Sequence, residues 1–174
     1  MKKLMIAALT ALPLLSGTAS WADENTVAPQ NYPVSENAAI AGEQKAVYDT
    51  VIRYQNALNS GDTKTILGLF AERSYSQWNE KPTADTTEKR RKQYDTLFQN
   101  EKFQTQFAFD TVNINGNTAY VRTHHHLGAT VTRLSDGATI LDLNREVFIL
   151  EKQDDGAWKI VLYTFNTNPI QGVA

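Results

Sequence analysis

Three histidines stand together at positions 124, 125 and 126, and the chain has no others. An imidazole titrates near neutrality, which suits it to moving a proton at physiological pH. Consecutive side chains of a strand point to opposite faces, so His125 is separated from His124 and His126. If Asp136-Gly137 makes a two-residue turn, Ser135 faces Ala138, His125 faces Phe148 and Leu127 faces Glu146. One face then carries Val121, Thr123, His125 and Leu127 with Asp142, Asn144, Glu146 and Phe148. The other carries Arg122, His124 and His126 with Leu143, Arg145, Val147 and Ile149. A one-residue bulge would exchange this grouping between strands.

The two faces offer different chemistry. On the first, His125 and Glu146 are candidate catalytic groups for proton transfer, and Asn144 could donate to an anionic intermediate. On the second, the His-x-His pair could share a metal ion, but Arg145 beside it is a fixed cation that repels metals and suits a carboxylate ligand. No third protein ligand is evident there, so no metal is expected. Sheet histidines also make ordinary hydrogen bonds, and neighbouring Arg and Glu side chains often simply pair. The favoured role for Asn144, Arg145 and Glu146 is contact with a bound ligand, without chemistry, and His124 and His126 are further candidate ligand contacts.

These strands need a frame. Val47, Val51, Tyr54 and Leu58 recur at helical spacing, and Gly61 can take the left-handed position that ends that helix. Asp62 can cap a short second helix whose buried side is Ile66, Leu67, Leu69 and Phe70. Tyr75 to Trp78 reads as a short strand. Asp85-Thr86-Thr87-Glu88 resembles a capping box and opens a third helix to about Gln99. The Lys89-Arg90-Arg91-Lys92 run within it reads as a solvated helix face. From Phe103 onward the texture is β-branched and aromatic, with turn signals at Asn115-Gly116, Asp136-Gly137 and Asp155-Gly156. Long strands are expected at 119–133, 139–152 and 158–166. Three helices followed by an antiparallel meander predict an α+β fold with the helices on one face of the sheet.

Composition narrows the classes. The chain has 174 residues, no cysteine, 17 Lys plus Arg and 19 Asp plus Glu. Thiol nucleophiles, disulfides and cysteine-ligated metals are excluded. A formal charge of −2 argues against nucleic acid as a partner. No GxGxxG or GxSxG motif is present, and no cofactor is expected. Met1-Lys2-Lys3, the apolar run Leu4 to Leu15 and the small residues of Ser20-Trp21-Ala22 read as a signal peptide over 1–22, cleaved before Asp23. The apolar run is too short to span a bilayer. A periplasmic or secreted location follows as an expectation, with no membrane partner after cleavage. Residues 23–42, with Pro29 and Pro33, read as a flexible leader. Residues 43–172 form the expected domain.

The order of elements resembles the nuclear-transport-factor-2-like (NTF2-like) superfamily, which includes ketosteroid isomerase and the SnoaL-like proteins. The residues that carry the resemblance are Arg53-Tyr54 through Ser60-Gly61-Asp62, Ile66, Phe70-Ala71-Glu72 and Asp155-Gly156-Ala157-Trp158-Lys159-Ile160. It implies a cystatin-like cone, a strongly curved sheet wrapped on three helices around a pocket, and dimerisation through the outer sheet face. Its members include isomerases, dehydratases and pure binding domains, so the fold does not select an activity. Tyr54 falls where ketosteroid isomerase has the tyrosine that donates to the enolate oxygen. Trp78 falls where it has the aspartate that moves the proton, and an indole cannot take a proton at neutral pH. The isomerase mechanism therefore lacks its base unless a carboxylate arrives from another strand.

The expected function is an exported protein that binds a small, largely apolar organic ligand in a conical pocket. Tyr54, Tyr75 and Trp78 would supply the aromatic lining, and Asn166 the rim. The alternative is a proton-transfer enzyme of isomerase or dehydratase type using Glu146 or His125. The last strand is apolar on both faces, so its outer side, with Tyr163 and Phe165 as candidates, is expected to meet a second copy in a homodimer.

Overall fold

A computed structural model describes residues 32–167, and these form one α+β unit. Helix α1 (Ala38–Ser60) begins ahead of the expected domain start at 43, because Asn37 caps it by accepting from the amides of Ala39 and Ile40 at 3.0 and 3.3 Å. It ends on Gly61 at φ 68°, where a Cβ would be strained. Asp62 accepts from the Thr65 amide at 2.9 Å and opens α2 (Thr63–Leu69). The chain then runs into β1 (Phe70–Gln77), longer than the strand expected there. Helix α3 (Thr87–Asn100) is capped by Thr86, one residue beyond the expected Asp85, which pairs instead with Lys89 at 2.7 Å.

Seven strands follow: β2 (Glu101–Gln104), β3 (Phe107–Asn115), β4 (Thr118–His125), β5 (Thr130–Arg133), β6 (Thr139–Leu141), β7 (Asn144–Lys152) and β8 (Trp158–Thr167). They make two sheets, one ordered β1-β8-β7-β4-β3 and one ordered β2-β5-β6. The large sheet is mixed rather than wholly antiparallel, since β1 runs parallel to β8. Val47, Val51, Tyr54 and Leu58 of α1 are buried with Phe107, Val121, Phe148 and Ile160 of the sheet. The helical stripe read from the sequence is thus the seam between the layers.

Three corrections to the expected strands shape the interior. First, the long strands 119–133 and 139–152 are each broken, at 126–129 and at 142–143. Their distal halves, β5 and β6, leave the large sheet as a hairpin whose β5 strand pairs with β2. Second, the turn at Asp136-Gly137 is longer than two residues. Arg133 donates to the carbonyl of Ala138 at 2.8 Å and accepts from Gly137 at 2.9 Å. Together these changes slide the β4–β7 register, so that Thr123 faces Glu146 and Val121 faces Phe148. His125 therefore does not face Phe148, nor Leu127 Glu146. The slide is an even number of residues, so the side chains grouped on each face stay together. Third, β8 carries a bulge opposite Ile149 and Leu150, which pair with Leu162 and Ile160 and leave Val161 extra. Beyond it the alternation inverts, and Tyr163 and Phe165 turn to the inside.

Arg90 is a further correction. It is buried rather than solvated, stacks 4.0 Å over Phe70 and donates to Ser76 Oγ at 2.8 Å and the Ser74 carbonyl at 2.9 Å.

Candidate functional site

The first face of the β4–β7 pair points inward. Thr123, His125, Glu146 and Phe148 are all buried, whereas Arg122 and Arg145 are exposed on the outer side. The bends after β4 and before β7 then bring Asp142 onto His125. His125 Nδ1 donates to the Asp142 carbonyl at 2.5 Å and lies 3.4 Å from its carboxylate Oδ2. On the other side of the ring, Nε2 sits 2.6 Å from Glu146 Oε1. The remaining carboxylate oxygens are held as well. Thr123 donates to Glu146 Oε2 at 2.7 Å, and the Asn144 amide donates to Asp142 Oδ1 at 2.8 Å.

Electrostatics fix the charge of this cluster. Burial by itself would drive a histidine toward its neutral form, but the close approach and charge of the Asp142 and Glu146 carboxylates outweigh it. His125 is pushed up to about 10 and is an imidazolium at neutral pH. In that form it suits donating a proton rather than accepting one. In the cluster it serves as a proton donor or as the cation that holds two carboxylates.

This cluster forms part of the wall of a cavity of about 270 Å³. Much of the remaining lining is aromatic. Tyr54 and Tyr94 share a hydroxyl hydrogen bond of 2.7 Å, and Trp78 stands edge-on to Tyr94 with ring centres 4.9 Å apart. Tyr163 and Phe165 complete it from β8. Burial is the largest of the causes that raise the hydroxyls of Tyr54, Tyr94 and Tyr163 well above the usual phenol range, so all three stay neutral. Glu101, at the start of β2, also lines the cavity and is raised by burial first and then by the charge of Asp142.

Of the residues singled out in the sequence, the cavity gathers Tyr54, Trp78, His125, Asn144 and Glu146. It does not gather the others. Tyr75 is 52% exposed on the outer face of β1. His124 turns outward to Asp110, 2.9 Å from it, and Arg145 and Asn166 are exposed. His126 is partly buried at the end of β4, outside the lining. His124 and His126 therefore do not join the carboxylate cluster. Tyr163 and Phe165, expected on the outer face, are lining residues instead. Asp142, Glu101 and Tyr94 were not singled out for the site. Asp142 had been grouped with His125 by strand parity, and that was the available signal for it.

No family model matches the chain. No curated protein matches it either. Solved structures do. A ketosteroid isomerase-like protein from Erwinia carotovora atroseptica superposes with a TM-score of 0.69 at 19% identity, covering 74% of this chain and 98% of that one. An NTF2-like protein with a cystatin-like fold from Novosphingobium aromaticivorans gives 0.61 at 18% identity over 78% and 87%. An NTF2-like superfamily protein from Salmonella enterica serovar Typhimurium gives 0.64 at 17% identity over 77% and 96%. The fold is NTF2-like, the cystatin-like α+β cone. At these identities the likeness extends to architecture and not to activity.

Proposed function

We propose that this protein binds a small organic molecule in its conical cavity. The observation that carries this is a cavity lined by aromatic rings together with a few buried polar groups, the usual composition of a ligand site. Native mass spectrometry of the full chain, recovered from cells that make it, tests the proposal. An organic mass released on denaturation supports it. Protein that carries nothing and binds neither phenol nor indole refutes it.

A second reading, proton transfer on the bound molecule, is favoured by one feature: His125 between Asp142 and Glu146 in the cavity wall. A replacement for the base that Trp78 cannot supply is available in these carboxylates, Glu146 on β7 and Asp142 in the bend before it. Deuterium exchange of the retained compound in heavy water separates the two readings. Exchange at carbon that is lost in Glu146→Gln supports transfer by Glu146. Equal exchange in both proteins removes that role.

Export, with cleavage of the 1–22 signal before Asp23, belongs to the same proposal. The segment lies outside the described residues, and N-terminal sequencing of fractionated protein checks it. Self-association is proposed through the outer sheet face, on residues other than those expected. Tyr75 pairs with Leu162, Leu162 with Ile149 and Ile149 with Tyr120, which gives one apolar row across four strands. Tyr75 and Tyr120 are 52% and 39% exposed. Sedimentation velocity should show a dimer that Ile149→Glu dissociates. A monomeric parent protein would dismiss it.

A further inference from the structure

The geometry points to a protonated primary or secondary amine on an apolar, ring-sized body as the ligand of this cavity. This deepens the binding reading above and rests on it.

The first argument is the charge inventory of the walls. Three carboxylate side chains, Glu101, Asp142 and Glu146, line the cavity, and His125 is the sole basic residue to do so among the described residues. No lysine or arginine of the described residues reaches the lining. Arg145, which from the sequence suited a carboxylate ligand, stands on the other face of the sheet. One imidazole stands against three carboxyl side chains, so the lining is acidic in composition. Such a lining would repel an anionic ligand and attract a cation.

The second argument is an orphaned acceptor. Asp142 is only 8% exposed, and its Oδ1 is taken by Asn144. Its Oδ2 has no hydrogen-bond donor, the nearest charge being His125 Nδ1 at 3.4 Å, whose proton goes to the Asp142 carbonyl. A buried carboxylate oxygen without a donor is costly. A neutral hydrocarbon or a quaternary ammonium leaves it so. A hydroxyl or an ammonium N–H satisfies it, and of these only the ammonium also suits the acidic lining.

The third argument is the aromatic part of the lining. Trp78 and Phe165 lie 6.2 Å apart at 49°, and Phe165 and Tyr163 lie 6.1 Å apart at 38°. These rings line the one cavity, where aromatic surface buries an apolar body and ring faces attract a cation.

Three probes of one shape test the inference on the full chain at pH 7 by calorimetry: benzylamine as cation, benzyl alcohol as neutral form and benzoate as anion. Benzylamine should bind about tenfold tighter than benzyl alcohol, and benzoate should not bind. Asp142→Asn should abolish the preference for the amine over the alcohol. Because the wild-type ranking is read without any variant, a misfolded Asp142→Asn does not affect it. Equal or tighter binding of the alcohol, or binding of benzoate, overturns the amine and leaves the cavity as a ligand site. Failure of all three to bind overturns both.

Discussion

Replacing Glu146 by Gln should flatten the pH dependence of stability. The folded protein raises His125 from its ordinary 6.5 to about 10. A raised histidine contributes stability that is fully present below its unfolded value and is lost as pH climbs through the folded one. From pH 6.5 to 9.5 the unfolded ring has released its proton and the folded ring still holds it. Each pH unit in that window costs about 1.4 kcal/mol, so the three units cost at most about 4 kcal/mol. That is a large part of a domain's usual margin of roughly 5–15 kcal/mol. Stopping at pH 9.5 keeps Tyr54, Tyr94 and Tyr163 out of the result, because their raised hydroxyls withdraw stability only above the ordinary phenol value. The Glu146→Gln substitution keeps the shape and the Thr123 contact but removes one of the two charges that hold the imidazolium, so the loss across the window should shrink. Urea unfolding at half-unit pH steps gives the slopes, and proton NMR of the His125 ring gives its titration directly. A wild-type protein of constant stability from pH 6.5 to 9.5, or a His125 ring that titrates near 6.5, would refute the reasoning.

Three further outcomes are expected. Tyr54→Phe removes a buried hydroxyl bonded at 2.7 Å to Tyr94 and should cost about 1–2 kcal/mol in urea unfolding; no loss would mean the pair is not structural. Arg90→Leu strands Ser76 Oγ and the Ser74 carbonyl in a buried place and should cost about 3 kcal/mol in the same assay, despite its position within a basic run. Gly61→Ala should cost about 1 kcal/mol through its backbone alone, since the nearest atom to an added Cβ is Phe98 Cγ at 3.6 Å, an ordinary contact. Thermal unfolding of that variant reads the shift.

What the chain states locally, its sequence determined. The stripe of Val47, Val51, Tyr54 and Leu58 marks a helix with one buried face, and Gly61-Asp62 ends one helix and starts the next, because those residues act on backbone a few positions away. The turns at Gly116 and Gly156 occur where the sequence placed them, each with a positive φ. Strand parity put Asp142, Asn144 and Glu146 with His125, since a period of two survives any even slide of register. The tertiary structure decided the rest. Val161 carries no mark of a bulge, yet the bulge turns Tyr163 and Phe165 from the outer face to the cavity. The β5–β6 hairpin leaves the large sheet because β2 offers it an unpaired edge, a partner distant in sequence. That departure bends the chain at 142 and sets Asp142 against His125. Arg90 is buried because Ser74, Ser76 and Phe70 converge on it. Burial and charge coupling depend on what the rest of the chain packs around a residue, and so they belong to the fold and not to any local segment.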